Sequence, residues 1–310
     1  MADPLAQLRE TLSGMQTEAI GAYGDLDTMS TAELVDAMNR ANTAVPAAVA
    51  ACSNEIVAAV DGIVSRLRDG GRMFYIGAGT AGRMGVLDAS ELPPTFGVAP
   101  ELVSGIIAGG EPAIRSAIEN AEDDREAGAS VVAEHGIAAG DVLVGVSASG
   151  RTPYVLAALE AAAARGSLTI AVANNPGSAI AAVSDIAIEA VVGPELVAGS
   201  TRLNAGTAQK LVLNALSTLS MVQLGKVYGA LMVDLRSTNE KLRARSERTV
   251  MAATGASAAD ATRVLRAADG WVKAAILMHE ASCSLPEAAR LLEDHSGDLR
   301  AALAAAAAGR

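Results

Sequence analysis

Aromatic residues are scarce in this sequence of 310 residues. One Trp, four Tyr and two Phe make up 2% of the chain, although 51% of it is hydrophobic. The core must therefore be built from aliphatic side chains. Binding of nucleic-acid bases or sugar rings by stacking needs exposed aromatic rings, so the composition disfavours both modes of recognition.

The chain also lacks an excess of positive charge. It contains 24 Lys plus Arg and 35 Asp plus Glu, which gives a formal net charge of −11. Nucleic acids and anionic membrane surfaces are bound by clusters of basic residues, and no basic run occurs in this sequence. We therefore expect neither a nucleic acid nor a membrane as partner.

Cysteine and histidine are equally rare. The two cysteines, Cys52 and Cys283, are far apart, and the three histidines stand alone in the sequence. Two distant cysteines do not make a disulfide framework, and isolated histidines lack the spacing of metal ligands. We expect a protein of the reducing cytoplasm that holds no metal.

A long apolar run is missing as well. The most hydrophobic uncharged stretch, residues 211–225, contains Asn, Ser, Thr and Gln, and it is shorter than the roughly 20 apolar residues of a membrane-spanning helix. Residues 1–10 include Asp3 and Glu10 and lack the basic and apolar regions of a signal peptide. The sequence therefore predicts neither export nor a membrane span.

Short apolar runs alternate with segments that are long enough for a helix. They are residues 72–76, 102–108, 141–147, 167–173 and, more weakly, 185–192. Strands that are apolar at nearly every position are buried on both faces, as in a parallel sheet between layers of helices. This order predicts an α/β fold with a doubly wound parallel sheet.

Helical patterns flank these runs. Ser30 and Glu33 form a predicted capping box for a helix that ends near Ala41, and a second helix is predicted over residues 45–68. Short helix candidates fill the C-terminal part. We predict three regions: an N-terminal helical segment that packs on the α/β domain (1–64), the α/β domain (65–250) and a small helical domain (251–310).

Two segments rich in glycine or hydroxyl groups follow the first and third predicted strands. They read GAGTAGR over residues 77–83 and SASGRT over residues 147–152, and each precedes a predicted helix. The carboxyl ends of parallel strands meet at one edge of a sheet, and the N–H groups of helix N-termini attract anions. Together the two loops favour a phosphate monoester as ligand, although a single such loop more often holds only turn and capping residues.

The G-x-G-x-x-G string in the first loop also occurs in dinucleotide-binding folds. Such a fold would place an acidic residue at the end of the second strand to hold a ribose. Here Glu111 is separated from that strand by Gly109 and Gly110. The string therefore favours dinucleotide binding only weakly.

Two carboxylates lie in the chain between these loops. Glu91 belongs to DASELPP, where Pro93 and Pro94 are expected to end the helix, and Glu122 belongs to NAEDD. Two carboxylates from neighbouring βα units can divide the roles of general acid and general base. From spacing alone, a solvated acidic surface is the commoner explanation.

Five long strings in the chain are specific enough to indicate a family. They are YIGAGTAGRMGVLDASELPPTFG from Tyr75, IAGGEPAIRSAIENAEDD from Ile107, VGVSASGRTPYVLAAL from Val144, GSTRLNAGTAQKLVLNALST from Gly199 and GKVYGALMVDLRSTNEKL from Gly225. All five closely resemble the N-acetylmuramic acid 6-phosphate etherases, from about residue 25 to the end. The resemblance implies the sugar isomerase fold, a five-stranded parallel α/β sandwich followed by a small helical domain.

The resemblance also implies an activity. The etherases are lyases of cell-wall amino sugar catabolism that cleave the D-lactyl ether of N-acetylmuramic acid 6-phosphate to N-acetylglucosamine 6-phosphate and D-lactate. In the open-chain sugar the C1 aldehyde acidifies the C2 hydrogen, so a base can remove that proton while an acid assists the departure of lactate from C3. Water then adds to the unsaturated aldehyde. Two carboxylates suffice, and no cofactor is expected.

Site residues are carried over by position. Glu91 in DASE matches the family's proton donor, and Glu122 in NAED matches its second catalytic acid and is the candidate base at C2. Ala81 replaces a Ser that the family usually has after Thr80, so one hydroxyl contact is missing. The expected phosphate-binding residues are Thr80, Gly82, Ser147, Ser149, Gly150 and Thr152, with Arg151, Ser200 and Arg202 as weaker candidates.

A non-catalytic function is the alternative. Sugar isomerase domains also occur in regulators that bind a phosphosugar, including the glucokinase regulatory protein, which resembles the etherases. A regulator need not keep both carboxylates, whereas this chain has both in matching context and lacks the second sugar isomerase domain of that regulator. The enzyme is favoured, and because sugar isomerase domains generally pair, a homodimer is expected.

Overall fold

The structure is a computed structural model that describes residues 12–234 and 240–308, without the side chain of Lys241. The prediction that no signal peptide is present concerns residues 1–10, which lie outside the described residues. Residues 235–239, within the last of the five family-like strings, also lie outside them.

Five parallel strands form the main sheet. They are β1 (Met73–Gly77), β2 (Val103–Ile107), β3 (Val142–Ser147), β4 (Leu168–Ala173) and β5 (Ile186–Glu189). The strand order is β2-β1-β3-β4-β5, and every neighbouring pair is parallel. Four of the predicted apolar runs contain one of these strands, and the first run, 72–76, overlaps β1, which extends one residue further to Gly77. The predicted five-stranded parallel α/β fold is confirmed.

Helices precede, connect and follow the strands. They are α1 (Thr31–Asn42), α2 (Ala44–Ala51), α3 (Ser53–Arg68), α4 (Gly79–Phe96), α5 (Glu111–Arg115), α6 (Arg125–Glu134), α7 (Pro153–Ala163), α8 (Ala179–Ala182) and α9 (Asn204–Gln223). Because α4 and α7 begin just after β1 and β3, the sheet places both helix N-termini at its carboxyl edge.

Both faces of the sheet are covered. On one face Phe74 and Ile76 of β1 belong to a buried apolar cluster that includes Val132 of α6. On the other face Tyr75 lies against Gly85 of α4, where an added Cβ would come within 2.7 Å of the Tyr75 Cβ. Successive side chains of a strand point to opposite faces, which explains why β1 is buried at every position.

The N-terminal helices differ in part from their prediction. The capping box of α1 is confirmed, since the Ser30 hydroxyl accepts from the Glu33 N–H while the Glu33 carboxylate accepts from the Ser30 N–H. The single helix predicted over residues 45–68 is wrong, because the chain bends by 58° between Thr31–Ala51 and α3. No glycine or proline stands at the bend, at Cys52. The turn lets the apolar face of α3 pack on β4 and β5.

A short hairpin and further helices follow α9. They are β6 (Val227–Tyr228), β7 (Leu231–Met232), α10 (Glu240–Thr254), α11 (Ala258–Ala267), α12 (Val272–Ala281), α13 (Leu285–Asp294) and α14 (Leu299–Ala308). Apolar side chains of these helices, such as Val264, Ile276 and Leu292, form one buried cluster. The predicted helical C-terminal region is therefore present.

The chain divides into two compact units. One contains the residues up to Ser90 together with Glu101–Ser217, and the other contains Glu91–Pro100 and the residues from Thr218 onward. Two of these boundaries fall inside α4 and α9, so the predicted domain limits at residues 64 and 250 stay predictions. Among the described residues no single helix is long and apolar enough to cross a membrane. One bent pair of helical segments there, Thr31–Ala51 and Ser53–Arg68, has sufficient length and apolar composition when the two are taken together.

Candidate active site

The first loop places the start of α4 directly on the end of β1. The opening N–H groups of an α-helix have no acceptor within the helix, so those of Gly79, Thr80 and Ala81 are available at the carboxyl edge of the sheet. The Gly82 N–H, by contrast, is not available to a ligand, because it donates to the Ala78 carbonyl. An added Cβ at Gly82 would lie 2.7 Å from the Gly77 carbonyl oxygen. What the structure shows for Gly82 is close packing.

The second loop gathers hydroxyl groups at the start of α7. The Ser147 Oγ lies 2.7 Å from the Thr152 Oγ1 and 3.3 Å from the Ser149 Oγ, and it accepts from the Gly150 N–H over 3.0 Å. Ser147 is buried, whereas Ser149 and Thr152 are half-buried. Arg151 is exposed, and its backbone N–H donates to the Ser149 Oγ. Three of the predicted ligand hydroxyls are thus brought together.

The segment after β4 supports this second loop. Gly150 has a φ of +67°, and an added Cβ would lie 2.2 Å from the Ser178 Cβ. The Ala148 carbonyl accepts from the Asn174 N–H over 3.1 Å and from the Asn175 Nδ2 over 3.0 Å. The loop is therefore held by backbone contacts on both sides. The sequence reasoning missed both asparagines, although an Asn-Asn pair directly after an apolar strand is a signal that could have been used.

A buried amide pair lies next to that segment. The Gln209 Nε2 of α9 donates to the Asn174 Oδ1 over 3.0 Å, and the Asn174 Nδ2 donates to the Ala190 carbonyl over 2.9 Å. The Gln209 Oε1 is buried and accepts no hydrogen bond from the described residues. These amides tie α9 to the sheet below the second loop.

A carboxylate of the protein itself binds the N-terminus of α9. The buried carboxylate of Glu195 accepts from the Asn204 N–H over 2.8 Å and from the Ala205 N–H over 2.9 Å. Ser200 is half-buried and Arg202 is exposed in the segment just before this helix. Glu195 therefore satisfies the first N–H groups of α9, whereas no side chain in the described part of the chain caps the start of α7.

Thr80 links the first loop to α9. An added Cβ at Gly206 would lie 3.3 Å from the Thr80 methyl carbon. The helix can approach this closely because position 206 carries no side chain. Thr80 is half-buried at that contact.

Glu122 lies beside the first loop. It is exposed in a short 3₁₀ turn, Ala121–Asp123, which follows Asn120 in the left-handed conformation with a φ of +61°. Together with Gly79 and Arg83 it lines a cavity of about 210 Å³. The structure thus brings this carboxylate and the start of α4 to one cavity.

Glu91 is exposed on the last part of α4. The prediction that Pro93 and Pro94 end this helix is wrong, since α4 continues through both to Phe96. A proline inside a helix keeps a helical φ, but it loses its own N–H bond and its ring crowds the carbonyl four residues before it. The helix nevertheless continues here, since the Pro93 carbonyl accepts from the Gly97 N–H over 2.9 Å. The helix ends where Gly97 adopts a φ of +65°.

A buried network holds α4 one turn before Glu91. The Asp88 carboxylate accepts from the Tyr75 hydroxyl over 2.8 Å, the Asn214 Nδ2 over 2.5 Å and the Ser217 hydroxyl over 3.2 Å. Burial, followed by the negative charge of Asp88, raises the pKa of Tyr75 well above its ordinary value, so this phenol stays a donor. The network fixes the rotation of α4 about its axis. The sequence reasoning did not identify it.

Metal-binding clusters are missing from the part of the chain that the structure describes, in which no group of three or more His, Cys, Asp or Glu residues could hold an ion. Neither Cys52 nor Cys283 forms a disulfide. The chemical groups that the described site offers are therefore carboxylates, hydroxyls, backbone N–H groups and guanidinium groups.

Comparison with known proteins defines the class first. A family model for the glucokinase regulatory protein N-terminal SIS domain matches residues 55–163, and a model for the SIS domain matches residues 126–219. The fold is similar to that of a phosphoheptose isomerase from Francisella tularensis, with 22% sequence identity and a TM-score of 0.51 over 63% of this chain and 100% of that chain. The protein is a SIS-domain protein.

Relatives of nearly equal length then define the family. N-acetylmuramic acid 6-phosphate etherases from Streptomyces avermitilis and Streptomyces coelicolor are 55% and 53% identical over 300 residues, or 96% of either chain. One from Actinobacillus succinogenes is 50% identical over 96% of this chain and 98% of its own. This chain belongs to the N-acetylmuramic acid 6-phosphate etherase family, as its five long strings indicate.

Proposed function

We propose that the protein cleaves the D-lactyl ether of N-acetylmuramic acid 6-phosphate and releases D-lactate and N-acetylglucosamine 6-phosphate. The observation that carries this proposal is 55% identity to an etherase over 96% of both chains. The match covers nearly the whole length of both chains, so it spans the segments that contain the two loops and the two carboxylates as well as the sheet.

The phosphate of the substrate binds at the starts of α4 and α7 in this proposal. Free N–H groups at a helix N-terminus and the positive end of the helix dipole favour a dianion. Thr80, Ser147, Ser149 and Thr152 supply hydroxyl donors, and Arg151, Ser200 and Arg202 are weaker candidates. Gly82 and Gly150 contribute by letting the two loops pack closely beside the phosphate. Since Glu195 already binds the start of α9, that helix contributes less.

The carboxylates move the protons. With the sugar in its open-chain form, Glu122 takes the C2 proton, and the electrons of the C2–H bond form a double bond to C3 while the C3–O bond breaks. Glu91 donates a proton to the departing lactate oxygen. Water then adds across the double bond, its oxygen to C3 and a proton to C2. Neither carboxylate forms a hydrogen bond with another described residue, so both are free to exchange protons.

A regulator that binds the sugar phosphate without turnover is the alternative. The glucokinase regulatory protein model matches residues 55–163, which contain the first three strands and their loops. The near-full-length relatives are etherases, and no feature of the described residues favours the regulator over the enzyme.

Incubation with N-acetylmuramic acid 6-phosphate in ¹⁸O-labelled water tests the proposal. We expect D-lactate without the label and N-acetylglucosamine 6-phosphate with ¹⁸O at C3, because the C3–O bond breaks and water adds to C3. Label in the lactate would contradict the elimination. Binding of the sugar phosphate without release of lactate would support the regulator.

A homodimer and a cytoplasmic location complete the proposal. The dimer is supported by the family resemblance, and the location by the small number of cysteines, Cys52 and Cys283, and their wide separation in the sequence. Light scattering on the purified protein is expected to give twice the mass of one chain. A monomer at working concentration would contradict this part alone.

A further inference from the structure

One basic side chain lies in the cavity that contains Glu122. This cavity of about 210 Å³ is formed by the first loop and by the segment that follows α5, including Gly79, Ser116, Asn120 and Glu122. Arg83, on α4, is the one Lys or Arg among the described residues that line it, whereas two carboxylates, Glu119 and Glu122, line it as well.

Two carbonyl groups hold the Arg83 guanidinium in place. Its Nε donates to the Ile114 carbonyl over 3.0 Å, and its Nη2 donates to the Ser116 carbonyl over 3.2 Å. The Nη1 donates to no described residue. A planar guanidinium that is oriented in advance loses little side-chain entropy when its remaining donors bind a carboxylate.

The chemistry at Glu122 requires a cation nearby. The substrate of the proposed reaction carries a second anion, the carboxylate of the lactyl group, which is attached through the ether oxygen at C3. Because C3 is bonded to C2, a base that reaches the C2 proton must lie close to that carboxylate. Like charges at such a distance repel each other strongly in a partly enclosed cavity unless a cation offsets them.

We propose that Arg83 binds the lactyl carboxylate of the substrate and so distinguishes N-acetylmuramic acid 6-phosphate from sugar phosphates without the lactyl group. This inference rests on the proposed function. Through its other two bonds the same guanidinium holds the segment that leads to Glu122, so the substrate carboxylate and the C2 base are positioned by one side chain.

The first test compares the substrate with its lactyl methyl ester, which keeps the sugar and the phosphate but lacks the negative charge. In wild-type protein the ester is expected to bind about ten- to a hundredfold more weakly, the usual effect of losing a hydrogen bond to a charged group. Arg83→Gln is expected to lower kcat/KM for the acid by the same factor. The loss of kcat/KM should be smaller for the ester, which lacks the charge that Arg83 binds, and inhibition by N-acetylglucosamine 6-phosphate should be unchanged.

Two further variants separate this role from a structural one. Arg115→Gln removes the same charge from an exposed neighbour that does not line the cavity, and it should behave like wild type. Arg83→Lys keeps the positive charge but lacks the planar set of N–H donors of the guanidinium. It should recover part of the discrimination between acid and ester.

Equal losses for the acid, the ester and N-acetylglucosamine 6-phosphate would overturn the proposal, because Arg83 would then support only the fold or the shared sugar. Equal binding of acid and ester by wild type would overturn it without any variant. Failure of the proposed function is distinguishable, since the wild-type protein would then release no lactate, and calorimetric binding of acid and ester would still test Arg83.

Discussion

Individual side chains in the candidate site differ in how firmly they are held. The Ser147 hydroxyl is buried and bonded to the Thr152 hydroxyl and the Gly150 N–H, so it is oriented before any ligand arrives. Glu91 and Glu122 are exposed and form no hydrogen bond with the described residues. Rigid donors suit binding of a fixed charge, and free carboxylates suit proton transfer.

Removing the charge of either carboxylate tests the proton transfers. We expect Glu91→Gln and Glu122→Gln each to lower the rate of D-lactate release by about 10²-fold or more, the usual contribution of a general acid or base. Binding of N-acetylglucosamine 6-phosphate should be retained. Glu119→Gln, which changes another exposed carboxylate of the same cavity, is the matched control. Substantial turnover in either of the first two variants would exclude the paired mechanism.

Restoring the hydroxyl at position 81 tests the placement of the phosphate. Ala81 is buried at the first turn of α4, beside N–H groups that have no acceptor within the helix. Ala81→Ser is expected to lower KM for the phosphorylated substrate by about tenfold or more, since a hydrogen bond to a charged group is worth at least about 1.5 kcal/mol. Affinity for unphosphorylated N-acetylmuramic acid serves as the control. An unchanged or higher KM would contradict phosphate binding at this loop.

The loops that join strands to helices in the site are short. α4 starts two residues after β1 ends, and α7 follows β3 after a short loop that is held by the Asn174 N–H and the Asn175 side chain. Such joints tolerate no added side chain, and Gly150 shows this most clearly. Its left-handed φ and its approach to Ser178 both require glycine.

A Cβ at Gly150 should therefore damage the second loop. Gly150→Ala is expected to cost at least about 1 kcal/mol of unfolding free energy from the left-handed conformation alone. Substrate affinity should also fall, because the Gly150 N–H is displaced from Ser147. Urea denaturation and KM measure the two effects. Gly140→Ala is the control, since that glycine has an ordinary φ and open space around it, and equal behaviour of the two variants would contradict the prediction.

At the scale of the whole α/β unit, an ion pair with a buried carboxylate lies at the edge of the sheet opposite the site. Asp141, just before β3, has a side chain that is 6% exposed and lies 2.8 Å from the Arg72 Nη2. Burial raises the pKa of Asp141, but hydrogen bonds from Arg72 and from the Ala138 N–H lower it by more, so the pKa lies below its ordinary value. The carboxylate therefore joins the starts of β1 and β3 in its charged form.

Stability should depend on pH through this pair. A carboxylate with a lowered folded-state pKa stabilises the protein above its unfolded pKa of about 4, and this contribution is lost as the pH falls through the folded value. Asp141→Asn is expected to cost about 1.5–3 kcal/mol at pH 7, with the difference from wild type shrinking below about pH 4. Denaturation over a pH series measures both.

The exposed pair Arg125–Glu160 is the matched control for this effect. Its separation is 2.7 Å, but the two side chains are 51% and 45% exposed. Glu160→Gln should cost less than about 1 kcal/mol, because solvent screens surface pairs. If Glu160→Gln lowered the free energy of unfolding as much as Asp141→Asn does, burial of the Asp141 carboxylate would not explain the larger cost expected there.

Much of the molecule was predictable from its local patterns. The runs that predict β1 to β5 are apolar at nearly every position, the capping box at Ser30 is a short-range signal, and the two loops lie where strands are followed by helices. The bend at Cys52 and the passage of α4 through Pro93 and Pro94 were not predictable. At the bend, packing of α3 against β4 and β5 outweighs intrinsic propensity, and no residue near Cys52 indicates that packing.

The sequence determined the element types, the parallel sheet, the family and the candidate carboxylates, because each depends on neighbouring residues or on strings that can be compared directly. The tertiary structure decided which of these groups share an environment. Glu122 meets Arg83 across a cavity, Asp88 meets Tyr75 and Asn214, and Glu195 occupies the start of α9. These contacts join residues far apart in the chain, and only the fold brings their charges and hydrogen-bonding groups together.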